Sequence, residues 1–219
     1  EGVVYSQDLA SNVEAIALET GEVLWRKRYE EPNQGPNGLL VVEGKVFGAT
    51  PASAFALDER TGKQVWSTRL PRDDRELIDM APGFRDGWIY VSTASAQEGG
   101  RQDASGAVGT LWSLEGATGK RLWHFEADSS RGASTPAFDE SSSLYVGAGS
   151  IVKLNIETGG LDWRYWPNGH PTPGQGLQEP PMLVADGGRE LVIGAGETGI
   201  VVALDASTGK PVWRTPVAG

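Results

Sequence analysis

Short apolar runs alternate with polar residues along the whole chain, and glycine cuts them every few residues. The runs are rich in valine, and the longest, near Gly199 to Leu204, has the length of one strand. Alternation over so few residues predicts half-buried strands rather than helices. Several runs come in pairs joined by a short polar turn. Val42-Glu43-Gly44-Lys45-Val46-Phe47 is one such pair, and Arg85-Asp86-Gly87-Trp88-Ile89-Tyr90 is a second. Phe138-Asp139 through Leu144-Tyr145-Val146 repeats the pattern with a looser serine turn, and Val184-Ala185-Asp186-Gly187 through Leu191-Val192-Ile193 repeats it again. An acid-glycine pair suits a tight hairpin because both residues tolerate positive φ.

A second pattern lies downstream of each pair. Thr-Gly recurs at Thr20-Gly21, Thr61-Gly62, Thr118-Gly119, Thr158-Gly159 and Thr208-Gly209. Five residues after each threonine stands Trp25, Trp66, Trp123, Trp163 or Trp213, and four before it stands Ile16, Leu57, Leu114, Leu154 or Leu204. Three before it stand Asp58, Glu115, Asn155 and Asp205 in the later copies, and Ala17 in the first. The pattern reads as a hairpin whose turn is fastened by the acidic or amide side chain and whose second strand carries one tryptophan. A buried indole needs an acceptor for its N–H, and a carbonyl of a neighbouring unit is expected to supply it.

Together the patterns give a repeat of strand, turn, strand, loop, strand, Thr-Gly turn and strand with tryptophan. The tryptophan spacings of 41, 57, 40 and 50 residues suit the blades of a β-propeller. The predicted fold is all-β, with five blades of four antiparallel strands at about 1–30, 31–70, 71–127, 128–168 and 169–219. The first blade lacks its innermost strand, since Glu1 to Tyr5 is only the second half of a hairpin. Ala94 to Thr110 and Trp166 to Pro181 are insertions, and inserted loops on a repeat scaffold gather on a binding face.

Composition narrows the partners. The 219 residues carry a net charge of −10 with pI near 4.7, which argues against nucleic acid, since that requires a basic face. There is no cysteine, so disulfide and thiolate chemistry are excluded. No apolar run approaches the length of a membrane span. With only His124 and His170, a zinc site is not expected. Gly194 to Gly199 has no following lysine and sits between strands, so it does not read as a phosphate loop.

The Ala-Leu-Asp-x-x-Thr-Gly-x-x-x-Trp motif at Ala203 to Trp213 resembles the tryptophan-docking motif of the pyrroloquinoline quinone (PQQ) repeat family. That repeat builds the eight-bladed propellers of quinoprotein alcohol dehydrogenases. It also builds non-catalytic propellers such as the outer-membrane assembly lipoprotein. The resemblance implies that the chain is part of a seven- or eight-bladed propeller, periplasmic or extracellular. It implies PQQ and calcium as cofactors and an alcohol or sugar as substrate. The alternative it implies is a scaffold that binds a protein or ligand.

Site residues follow from the same resemblance. Glu98 matches the family's calcium-binding glutamate. Ser150 ends the run Tyr145-Val146-Gly147-Ala148-Gly149, where the family has a metal-binding asparagine. Gln175 and Gln178 stand in the loop that carries the family's catalytic aspartate, and a glutamine cannot act as a base. Trp166 lies outside the repeated register beside that loop and could stack on a flat quinone; packing is the plain alternative for it and for Trp112.

A last expectation concerns the two ends. The blade begun at Glu1 has no partner strand in the sequence after Trp213, so the chain is expected not to close into a ring by itself. Further blades or another chain would cover its open apolar faces.

Overall fold

The computed structural model describes residues 2–33, 37–72, 74–78, 80–95, 108–170, 176–177, 179–196 and 199–217. Among them there is no helix, and therefore none long and apolar enough to cross a membrane. Every regular element is a strand, as the alternation predicts.

Five antiparallel sheets follow one another along the chain. The first has three strands, β1 (Val3–Gln7), β2 (Val13–Ala17) and β3 (Val23–Lys27). The second runs in order through β4 (Leu40–Val42), β5 (Lys45–Ala49), β6 (Ser53–Asp58) and β7 (Gln64–Arg69). The third contains β8 (Glu76–Ile78), β9 (Gly83–Arg85), β10 (Trp88–Ser95), β11 (Thr110–Glu115) and β12 (Arg121–Glu126). Here the first strand position is split: β9 pairs with the start of β10 and β8 with its end. The fourth sheet is β13 (Ala137–Phe138), β14 (Ser143–Gly147), β15 (Ile151–Asn155) and β16 (Leu161–Tyr165). The fifth is β17 (Met182–Asp186), β18 (Arg189–Gly196), β19 (Ile200–Asp205) and β20 (Pro211–Pro216).

The acid-glycine turns take the conformation that their residues suggest. Glu43 and Gly44 have φ of 52° and 73°, and Asp86 and Gly87 have 51° and 82°. Positive φ at both central residues matches the right-handed twist of the flanking strands.

The Thr-Gly turns are fastened from within. The Asp58 carboxylate accepts from the Thr61 amide at 2.9 Å and the Thr61 hydroxyl at 2.6 Å. Asn155 and Asp205 do the same for Thr158 and Thr208, and the Thr118 hydroxyl donates to Glu115. These bonds hold the carboxyl of Asp58 below the usual range, chiefly through the Thr61 hydroxyl. Asp205 is lowered likewise, through Ser207 first and then Thr208. Ala17 offers no such acceptor, and the first turn is closed by backbone bonds of 2.9 Å, from the Gly21 amide to the Ala17 carbonyl and from the Ala17 amide to the Glu22 carbonyl, with the Glu22 amide donating to the Thr20 hydroxyl at 3.2 Å.

The chain forms two compact units, Glu1–Ala96 with Trp112–Leu122 and Gln97–Leu111 with Trp123–Gly219. The core of the first contains Phe47, Ala56, Trp66, Ile89, Trp112 and Leu114, with a second cluster of Val13, Val46, Phe55 and Leu57. The core of the second contains Tyr145, Ile151, Leu177, Val192, Val202 and Leu204. Trp112, outside the repeated register, is thus a core residue, with the Arg121 guanidinium 5.0 Å over its ring.

Four of the five repeated tryptophans are fixed in one way. The indole N–H donates to a carbonyl two residues before the next threonine: Trp25 to Glu59 at 2.9 Å, Trp66 to Gly116 at 2.9 Å, Trp123 to Ile156 at 2.9 Å and Trp163 to Ala206 at 3.0 Å. Each ring also lies flush on the glycine of that same turn. A Cβ added at Gly62, Gly119, Gly159 or Gly209 would fall 2.5 to 2.6 Å from the ring. Trp213 departs from the expectation of burial: 42% of its surface is exposed.

Candidate functional site

The site lies at one end of the fourth sheet, within the second compact unit. Three segments meet there: the exit of β12, the β14–β15 turn and the exit of β16. The Asp128 amide donates to the Ala148 carbonyl at 2.8 Å, which ties the first segment to the second. Gly149 makes that approach possible. Its φ is +88°, and a Cβ there would press on the Asp128 backbone and Ser129 at 3.2 Å. On its other side Gly149 pairs with Leu177 through two bonds of 3.2 Å. Leu177 is buried, so it caps the turn with apolar surface.

Ser150 is completely buried. Its hydroxyl donates to Asp128 Oδ2 at 2.7 Å. The other oxygen of that carboxylate, Oδ1, lies 3.2 Å from the Arg164 guanidinium. Arg164 is in turn held between two rings, 5.6 Å over Phe125 and 5.3 Å over Trp166. The result is a connected line of hydroxyl, carboxylate, guanidinium and indole. Among the described residues two donors in it have no acceptor: Arg164 Nε and Trp166 Nε1 are buried without a hydrogen bond there. Buried unpaired donors are costly, so an oxygen-rich group arriving here would be favoured.

The sequence names two of these residues, Ser150 and Trp166, and the structure brings them into one cluster. It adds Asp128, Arg164 and Phe125, which sequence reading missed. A signal for the last two existed. Arg164 and Trp166 are two apart at the end of β16, the spacing that puts extended residues on one face, and Phe125 stands two after Trp123 near the end of β12. Asp128 carries no such signal, because it is recruited by a backbone contact from another sheet segment. Glu98, Gln175 and Gln178 lie outside the described residues.

The fit to calcium can be tested on this donor set. Calcium takes six to eight oxygens, several of them carboxylate. The Ser150 hydroxyl is committed to Asp128, and the Asp128 carboxylate already has a guanidinium beside it. A divalent cation would be repelled by that neighbour. Among the described residues no three of His, Cys, Asp or Glu are placed to hold a metal. The described residues therefore do not fit calcium. They suit a flat, oxygen-rich organic anion better, since Arg164 and Trp166 offer planar surfaces and N–H groups unpaired among the described residues.

At the other end of the fourth and fifth sheets is a cavity of about 340 Å³, lined in part by Asp139, Tyr145, Lys153 and Glu190. The Tyr145 hydroxyl donates to Asp139 at 2.9 Å and reaches the Ala206 carbonyl at 3.3 Å. Burial works against the Asp139 carboxylate, but bonds from the Ser143 and Ser141 amides and Tyr145 outweigh it and keep its carboxyl low. The cavity is thus lined by groups already serving the fold.

Comparison with known proteins agrees with this architecture. The family model described as "Outer membrane protein assembly factor BamB" matches residues 9–169 and 149–219. The polyvinylalcohol dehydrogenase of Sphingopyxis sp. (strain 113P3) is 26% identical, aligning with 96% of this chain and 42% of its own length. The 1-butanol dehydrogenase (cytochrome c) of Thauera butanivorans is 29% identical, aligning with 98% of this chain and 32% of its own length. The chain thus spans less than half the length of these relatives. The crystal structure of the quinohemoprotein alcohol dehydrogenase from Comamonas testosteroni superimposes with a TM-score of 0.82 at 20% identity, covering all of this chain and 42% of the other.

Proposed function

The chain belongs to the PQQ-repeat propeller family described by the BamB model, and from that premise we propose that it is part of a quinoprotein of the alcohol dehydrogenase type. The observation that carries this reading is the Arg164 guanidinium lying over the rings of Phe125 and Trp166, with buried N–H groups of Arg164 and Trp166 that have no acceptor among the described residues. PQQ is a planar tricarboxylic acid, and that pair of surfaces suits it. Support also comes from relatives that are dehydrogenases and align along nearly the whole chain. When bound, PQQ would accept a hydride from an alcohol or sugar. This chain's residues would orient it: Arg164 by charge, Trp166 by stacking, and Asp128 and Ser150 by fixing Arg164. Because the described residues do not fit calcium, the quinone is proposed to bind through Arg164 without a metal there. A periplasmic or extracellular location and tryptophan docking as the link between blades belong to the same reading.

A specific observation favours a second reading. Trp213, Met182 and Val184 leave one face of the fifth sheet exposed, as suits a scaffold that docks a protein. Adding PQQ with and without calcium, and following thermal stability and dye-linked alcohol oxidation, separates the two. The first reading expects stabilisation by PQQ alone, weakened in Arg164→Gln. No shift and no turnover would leave the scaffold.

A further inference from the structure

The chain has five asparagines, and two of them, Asn37 and Asn168, are followed by glycine. The side-chain amide of an asparagine can be attacked by the backbone nitrogen of the next residue. The attack closes a five-membered ring, and a side chain on that next residue obstructs it. Asn12, Asn33 and Asn155 are followed by Val13, Gln34 and Ile156. Only the two glycine sites leave the nitrogen open.

The fold treats the two sites differently. Asn37 is only 4% exposed, and its Nδ2 donates to the Ile78 carbonyl at 3.2 Å. A Cβ added at Gly38 would stand 2.9 Å from Ala81 Cβ, so a ring closing on the Gly38 nitrogen would be crowded. Asn168 and Gly169 are both exposed. They end a turn that starts at Trp166, closed by the Gly169 amide donating to the Trp166 carbonyl at 3.1 Å. A Cβ added at Gly169 would meet nothing within 4 Å. The attacking nitrogen must give up its one turn bond, but that bond is at the surface, where water replaces it at little net cost.

We propose that Asn168 is a site of spontaneous deamidation, and that the carboxylate it acquires weakens anion binding at Arg164 and Trp166. The second half rests on the quinone reading given above; the first does not. The Gly169 backbone nitrogen loses its proton to hydroxide and bonds to Asn168 Cγ. The Cγ–Nδ2 bond breaks, and the side-chain nitrogen takes a proton from water and leaves as ammonia. Water then opens the cyclic imide. Cleavage of the new N–Cγ bond gives aspartate, and cleavage of the original peptide bond gives isoaspartate, with the main chain routed through the side chain. Nothing is oxidised or reduced, and water is the only co-reactant.

Both products carry a carboxylate that is ionised at neutral pH. Its Cα lies two residues from that of Trp166, hence within about 7 Å of it. That is inside the screening length of about 8 Å at physiological salt, so the new charge repels an anion drawn to the Arg164 guanidinium. Isoaspartate also adds a methylene to the main chain, which lengthens the turn that begins at Trp166.

Incubating the chain at mildly alkaline pH, followed by tryptic digestion and mass spectrometry, tests the first half. Asn168 is expected to convert several times faster than Asn37, and the two rates are expected to converge in concentrated urea, where neither residue keeps its surroundings. Equal rates in the folded chain, or a difference that survives in urea, would overturn the proposal. Thermal stabilisation by added PQQ tests the second half. Aged wild type and Asn168→Asp should be stabilised less than fresh wild type. Asn168→Gln, whose larger ring closes far more slowly, should keep its response on ageing. If fresh wild type and Asn168→Asp respond equally, the link to the site is wrong. A fresh chain that does not respond would sink the quinone reading and the second half with it, while the mass spectra still decide the first.

Discussion

The Ser150 hydroxyl points at the Asp128 carboxylate, 2.7 Å away, from a position with no solvent contact. It is the only bond that orients Oδ2 of this carboxylate among the described residues, while Arg164 holds Oδ1. A hydrogen bond to a charged acceptor contributes about 1.5–3 kcal/mol. Ser150→Ala is therefore expected to lower the stability of the chain by that amount in urea denaturation. Ser150→Thr keeps the hydroxyl but crowds a closed site, so it should fold less well than its chemistry alone suggests. An alanine variant as stable as wild type would show that the bond does not hold the cluster.

Two glycines with the same backbone angle separate strain from packing. Gly62 and Gly21 have φ of +67° and +72°, and only Gly62 has a ring against it, Trp25 at 2.5 Å from an added Cβ. In a dilute, monomeric sample Gly21→Ala should cost only the left-handed backbone penalty, about 1–2 kcal/mol. Gly62→Ala should add an overpacking cost of about 1–3 kcal/mol. Equal losses in chemical denaturation would mean that the ring moves aside freely.

How far the sequence could be read depends on whether a feature is local. The Thr-Gly turns were legible because the threonine, its acceptor and the glycine sit within a few residues and act on one another. The tryptophan's partner was legible as a kind, a neighbouring carbonyl, because any buried indole needs one. The identity of that carbonyl was not, since it lies 33 to 50 residues away for Trp25, Trp66, Trp123 and Trp163. Asp128 was missed for the same reason: its importance comes from a contact with Ser150, 22 residues on. The split of the first strand in the third sheet into β8 and β9 was also hidden. Neither short segment has enough alternation to announce itself.

The turn carboxylates set a dependence on acid. Asp58 and Asp205 have lowered pKa values in the fold, so they remain ionised where the unfolded chain already binds protons. Their contribution is present above the unfolded value, about 3.9, and is lost as pH falls through the lower folded values. Asn155 performs the same job at the fourth turn without titrating. Asp58→Asn with Asp205→Asn should therefore keep the turns closed and flatten the loss of stability below about pH 4. Urea midpoints at neutral and acid pH check this, and an unchanged acid limb would assign it to other carboxylates.

Trp66 and Trp213 should respond to different extents to the same change. Trp66 is almost fully buried, and its N–H is bonded to the Gly116 carbonyl at 2.9 Å. Phenylalanine at that position removes the donor and leaves the carbonyl without it, beneath the same apolar surface. An unsatisfied buried group costs about 1–3 kcal/mol, and the smaller ring leaves a gap over Gly119 that adds to the loss. In the monomer Trp213 has neither that bond nor that cover, so Trp213→Phe should change stability by less than about 0.5 kcal/mol. Chemical denaturation at low protein concentration reads both. A large loss from Trp213→Phe in a monomeric sample would mean that the exposed indole already supports the fifth sheet.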